Sequence, residues 1–211
     1  MAGKVIAITD NLVAYPNGPV SIDETNVDHV VVVDSIGDPS GIVSGTTQVT
    51  RDPVGHVIAR HAADVIEASG LLKDGISFQT GAGGASLATA HYLREKMISV
   101  GIKGSFGMGG ITAFFVDMLE DGLFEKLIDV QCFDLEAVRS IRENPNHIEV
   151  SASQYANPSA KSCSVEILDV VVLGATEIDT DFNVNVLTDS SGNIMGGSGG
   201  HSDTAQGAKL T

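Results

Sequence analysis

Three glycine clusters hold the residue types best suited to chemistry. Gly81-Ala82-Gly83-Gly84 follows a strand-like run and precedes a helical one. Gly107-Met108-Gly109-Gly110 repeats that arrangement about 26 residues further on, and Gly192 to Gly200 ends in Gly196-Gly197-Ser198-Gly199-Gly200-His201. Glycine lets a backbone come close to a ligand. A helix that begins at such a turn offers free N–H groups and partial positive charge to a phosphate, a carboxylate or the oxyanion of a thioester. The plain alternative for each cluster is a tight turn with no ligand. The spacing is not the six-position dinucleotide fingerprint, which disfavours a dehydrogenase, and no Lys-Ser/Thr follows, which excludes a P-loop.

The groups available for acid–base or nucleophilic work are Asp117, Glu120, Asp121, Glu177 and His201. Asp117 and Asp121 are four apart, on one face of a helix close to the second glycine cluster; without context they read as a solvated face. Glu177 ends a very apolar run, where burial would disturb its ionisation. His56, His61 and His91 fall in helices, and His29 and His147 flank strands. None has metal-ligand spacing with a carboxylate, and Cys132 and Cys163 have none either, so no metal is expected. No Gly-x-Ser-x-Gly turn opens a helix, which leaves Ser-His-Asp hydrolysis unsupported.

The elements that must position these groups alternate. Lys4–Thr9 and His29–Val33 read as buried strands. A helix is expected from Asp52-Pro53 to about Ser69, with Val54, Val57, Ile58, Val65 and Ile66 on its core stripe and Gly70 as its stop. A strand over Ile76–Gln79 enters the first glycine cluster, and a helix runs from about Ala85 to Ile98. A strand over Lys103–Phe106 enters the second cluster as a loop, and a helix covers about Thr112 to Glu120. Further strands fit Leu127–Cys132, Ile148–Ser151, Val165–Leu173 and Phe182–Leu187. This is the pattern of an α/β fold, a mostly parallel sheet with flanking helices, read as one domain over residues 1–211 with a possible subdomain edge near 158. Neighbouring parallel strands would bring the first two glycine loops to one sheet edge.

Composition narrows the partners. Glycine is abundant, 24 in 211 residues against about 7% in ordinary proteins. Twelve Lys plus Arg face 27 Asp plus Glu, a net charge of −15 with no basic cluster, which argues against nucleic acid and membrane surfaces. No apolar run reaches the roughly 20 residues that span a bilayer. Two cysteines without a disulfide framework fit buried thiols in a reducing cytoplasm, the expected location.

Taken together, Gly196–Ala205 (GGSGGHSDTA) with Gly207-Ala208-Lys209-Leu210, Gln79–Gly84 (QTGAGG), Gly107–Thr112 (GMGGIT), Asp117–Gly122 (DMLEDG) and Ala175–Asp179 (ATEID) resemble the citrate lyase α subunits. These are citrate CoA-transferases within the wider class of CoA-transferases and acyl-CoA hydrolases. The resemblance runs from about Val30 to the end of the chain. It implies a CoA-transferase-like domain corresponding to the C-terminal half of a longer two-domain subunit, inactive alone and lacking the loops that bind citrate. The activity implied is exchange of the acetyl group on an acyl-carrier protein's CoA-like arm, or on CoA, for citrate, ahead of cleavage of the citryl thioester by the lyase subunit. The implied partners are citrate and the acyl-carrier and lyase subunits, in an oligomer. Gly81, Gly83, Gly84, Gly107, Gly109, Gly110, Gly197, Gly199, Gly200 and His201 would hold the thioester arm. Hydrolase and transferase relatives carry a nucleophilic glutamate followed by Met-x-x-Asp-Gly; the matching position is Asp117, one methylene shorter, and the Thr-Glu expected just before the Met is absent. The alternative is a non-catalytic domain that binds CoA or a nucleotide, or docks partner subunits.

Overall fold

The computed structural model describes residues 2–18, 20–42 and 48–211. Along the chain run β1 (Ile6–Thr9), β2 (His29–Val32), α1 (Pro53–Ala68), β3 (Ser77–Thr80), α2 (Gly84–Val100), β4 (Gly104–Ile111), α3 (Ala113–Glu120) and β5 (Phe124–Cys132). They are followed by α4 (Leu135–Glu143), β6 (His147–Glu149), α5 (Ala152–Ala156), β7 (Val170–Val172), β8 (Glu177–Ile178), β9 (Val184–Asn185) and α6 (His201–Gly207). Five strands form a parallel sheet in the order β6-β5-β4-β3-β7. Helices α1 to α4 cover one face, around Ile66, Phe78, Leu93, Phe115, Phe124 and Leu127. A smaller core around Phe106, Met108, Tyr155, Val165 and Leu168 covers the other. Strand alternation delivers this division: Phe78 and Val170 go to the first core, and their chain neighbours Gln79 and Val171 go to the second face. Among the described residues no helix is long and apolar enough to cross a membrane.

Local chemistry sets the helix ends. Asp52 accepts from Val54 N at 3.2 Å and Gly55 N at 3.3 Å, and Pro53 opens α1 at a position that needs no N–H. Gly70 and Gly101 follow α1 and α2 with φ of 75° and 68°, the left-handed conformation that glycine reaches without strain.

Several expectations from the sequence change here. The second glycine cluster is not a loop: Gly107, Gly109 and Gly110 lie within β4 at the centre of the sheet. A methyl group on Gly104 would collide with the Phe124 ring, and one on Gly107 would meet the Phe115 ring at 2.6 Å, so these glycines admit aromatic rings to the core. The α1 stripe is largely reversed. Ile66 is buried as expected, but Val54, Val57, Ile58 and Val65 are exposed and Gly55, Ala59 and Ala63 are buried, because α1 meets α2 through its small residues. Strands β1 and β2 are not buried; they pair with each other in a separate two-stranded sheet with Ile6, Ile8 and Val30 exposed. Helices α4 and α5 stand where no helix is expected from the sequence, and Phe182–Leu187 contributes only the short β9, antiparallel to β8. Cys163 is buried at the start of a 3-10 turn, and Cys132 is half-buried.

The packing around β4 can be checked by substitution. Gly107→Ala should lower unfolding free energy by about 1–3 kcal/mol through overpacking. Gly197→Ala, with nothing within 4 Å of the added methyl, should stay within about 0.5 kcal/mol of the parent in urea unfolding.

Candidate functional site

Parallel sheets collect their loops and helix N-termini at the carboxyl edge, and here that edge is unevenly filled. Asp134 blocks two of the N-termini: its carboxylate accepts from Ala137 N at 2.9 Å, capping α4, and from Ala113 N at 2.7 Å, at the start of α3. Ser151 caps α5 through Gln154 N. Helices α2 and α6 begin at Gly83 and Gly200 with no side-chain cap. The first and third glycine clusters thus leave backbone N–H groups without a carboxylate or hydroxyl. Gly81 spends its own N–H on Val172 O at 2.8 Å, while Gly83 and Ala85 are exposed. Gly84 is held close under residues 48–50, with Thr50 N donating to its carbonyl at 3.1 Å.

The two open turns are tied together beneath the surface. Gln79, two residues before Gly81, donates from Nε2 to Tyr155 Oη at 2.7 Å, a buried bond. Gly109, at φ 112°, leaves room for that amide: a methyl there would sit 3.2 Å from Gln79 Cδ. Gly200 rests on the Tyr155 ring, 2.7 Å from the position of a methyl, and Thr204 Oγ1 donates back to Gly200 O at 2.9 Å. His201 Nε2 lies 2.8 Å from Gly174 O; a carbonyl only accepts, so Nε2 is the donor. Beside β7 an apolar cavity of about 550 Å³ is lined by Val65, Val172, Phe182, Val184 and His201. Among the described residues, two buried side-chain polar atoms lack a hydrogen-bond partner, Gln79 Oε1 and Thr112 Oγ1. Both lie at the carboxyl ends of adjacent strands, β3 and β4. An orphaned buried acceptor or donor costs about 1–3 kcal/mol, and such costs concentrate at functional sites.

The whole chain, residues 1–211, matches the family profile described as citrate lyase, alpha subunit (CitF). The chain belongs to the citrate lyase α subunit family. It is 53% identical over 207 residues to the citrate lyase alpha chain of Klebsiella pneumoniae, and 54% identical over 209 residues to that of Haemophilus influenzae. Those alignments cover 98% and 99% of this chain but 41% and 42% of the relatives, so the chain spans about two-fifths of their length. A Streptococcus mutans protein described as the alpha subunit of citrate lyase, solved in complex with citrate, superposes with a TM-score of 0.88 at 51% identity, covering 99% of this chain and 41% of that one. A mutant of RipA, at 18% identity and a TM-score of 0.52 over 89% of this chain and 41% of that one, shares the fold alone.

The other expected groups fall in different places. Asp117 is exposed on α3, in a shallow depression with Arg94, Phe114, Glu120 and Asp121. Helix α3 covers the face opposite to Tyr155 and α6, so Asp117 does not meet the first and third glycine clusters. Partial burial, then the charges of Asp121 and Glu120, push its carboxyl above the usual range. Glu177 is exposed rather than buried, and Ser190 and Asn185 hold its carboxyl below the usual range. Gly197 and Gly199 are exposed on the third segment, and Gly107 and Gly109 are buried in the sheet. Among the described residues no group of three His, Cys, Asp or Glu side chains could hold a metal ion.

Two arrangements escaped the sequence reading. His147, buried, sits between Asp129 Oδ2 at 3.0 Å and Ser140 Oγ at 2.9 Å, and Cys132 Sγ donates to the same Asp129 oxygen at 3.0 Å. Burial, then that hydrogen bond, push the Cys132 thiol far up, which keeps it protonated and unreactive. The second is the Gln79–Tyr155 bond, whose partners are 76 residues apart and leave no local signature. Asp134 was findable: an Asp three residues before Ala137, ahead of an amphipathic run, is a capping pattern.

A carboxyl raised on folding has its charged form disfavoured in the native state, so its ionisation costs stability above the carboxylate range. Asp117→Asn should therefore gain stability at neutral pH, by less than about 1 kcal/mol for so exposed a group. The gain should fade as pH is lowered to about 4 in urea titrations.

Proposed function

We propose that this chain is the acyl-exchange part of a citrate lyase α subunit, replacing acetyl by citrate on the CoA-like arm of an acyl-carrier protein or on CoA. The observation that carries this reading is the pair of uncapped glycine turns, at Gly83 and Gly200, joined through Gln79 and Tyr155 at one sheet edge. A carboxylate oxygen of citrate attacks the acetyl thioester carbonyl, giving a mixed anhydride and releasing the thiolate. The thiolate then attacks the citryl carbonyl of that anhydride; acetate leaves and the citryl thioester forms. Both steps place negative charge on a carbonyl oxygen. Backbone N–H groups of the first α2 turn and of the Gly196–Gly200 segment are suited to stabilise it. The acyl-carrier and lyase subunits are the macromolecular partners in this reading, and the remainder of the α subunit completes the citrate site. Asp117 stands aside from the chemistry here, its exposed place on α3 favouring direct attack by citrate.

The same chain also fits a docking role, favoured by one observation: Val54, Val57, Ile58 and Val65 form an exposed apolar face on α1. The two readings separate on a single substitution. Gly83→Asp in the full-length subunit adds a carboxylate cap, which supports α2 but repels an anion from its N-terminus. Acyl exchange from acetyl-CoA to citrate, followed by chromatography, should fall by at least about a hundredfold with the melting temperature kept, the loss typical of removing an oxyanion donor. Unchanged exchange with Gly83→Asp, or a comparable collapse with Asp117→Asn, would contradict the assignment.

A further inference from the structure

Gln79 is poorly explained by stability. A leucine would fill its volume without leaving Oε1 buried and unpartnered, and replacing a buried polar pair by apolar groups of like shape is often neutral or favourable. What the amide does is geometric. Its Nε2–H bond fixes the Tyr155 hydroxyl at 2.7 Å, and the Tyr155 ring is the surface on which Gly200 rests. Thr204, buried one turn into α6, bonds Gly200 O and His201 O at 2.9 Å and 3.1 Å and stands against the same hydroxyl. The strand that leads into Gly81 is thus connected by one polar contact to the turn that ends in His201. Gly109, whose missing side chain makes room for the amide, brings the middle glycine cluster into the same device. Each of the three clusters touches one end of the Gln79–Tyr155 pair or follows it directly in the chain. Burial raises the Tyr155 phenol above its ordinary value, so it remains a neutral donor and acceptor across physiological pH.

We infer that Gln79 and Tyr155 are positioning residues, a buried latch that sets the Gly196–Gly200 segment at the height of the Gly81–Gly84 turn so that the backbone N–H groups of both address one thioester carbonyl. The catalytic consequence rests on the acyl-exchange reading above; the latch itself does not. Two readouts on the full-length subunit keep them apart. The variants are Tyr155→Phe, Gln79→Leu and the double variant. Amide hydrogen exchange at His201, Thr204 and Ala208, whose N–H groups are bonded to Ser198 O, Gly200 O and Thr204 O, should rise at least about tenfold in each, with β3, β4 and β5 protected as in the parent and melting temperatures kept. Acyl exchange should then lose about ten- to a hundredfold in kcat with little change in KM, the signature of misplacement rather than lost binding. The double variant should fall no further than the worse single one. Unchanged hydrogen exchange at His201, Thr204 and Ala208 would overturn the latch whatever the activity. Raised exchange at those amides with an unaltered kcat would overturn its positioning role. Raised exchange in the variants of a subunit whose parent transfers no acyl group would leave the latch standing and sink the functional reading instead.

Discussion

A strand with four glycines in eight residues can run through the centre of a parallel sheet only if neighbours fill the space its missing side chains leave. In β4 the rings of Phe124, Phe115 and Phe133 lie where side chains of Gly104, Gly107 and Gly110 would be, and the Gln79 amide lies beside Gly109. That constraint settles much else. Phe115 must come from α3 and Phe124 from β5, which fixes the crossover between them. Gln79 must come from β3, which puts a polar group on the face shared with Tyr155. The β4 glycines are packing residues, and the room at Gly109 admits the Gln79 amide that bonds Tyr155, the ring under Gly200.

From there the carboxyl edge follows by elimination. Helix N-termini there are either satisfied by a side chain or left open. Asp134 takes two, Ser151 takes one, and the two that begin in glycine stay open. In a chain with net charge −15, backbone N–H groups are a sparing way to receive an anion, because they need no cationic side chain that acidic neighbours would neutralise. Asp117 lies elsewhere, on α3. With Glu120 and Asp121 beside it and Arg94 to offset them, it is a crowded surface carboxylate on the far face.

The sheet, its parallel sense and the helices α1 to α3 were legible because strand–glycine–helix order is a local pattern. The family was legible too, since five short motifs in order and spacing carry it. What failed did so for physical reasons. Apolar residues along α1 were assigned inward by periodicity, yet the helix meets α2 through Gly55, Ala59 and Ala63, and small-residue contact leaves no hydrophobic signal. Buried glycines in β4 look identical to loop glycines in a sequence, because only the partner rings distinguish them. Glu177 follows an apolar run but leaves the core at Gly174, so its neighbours became Ser190 and Asn185. The Gln79–Tyr155 bond spans 76 residues and belongs to no motif.

The most direct test of where the chemistry sits is ligand-induced protection from hydrogen exchange in the full-length subunit on saturation with CoA. The account predicts new protection in residues 81–87 and 196–203, by at least about tenfold in rate, with little change elsewhere in this region. Protection confined to the Arg94–Asp121 depression around Asp117 would contradict it, moving the thioester to the opposite face of the sheet.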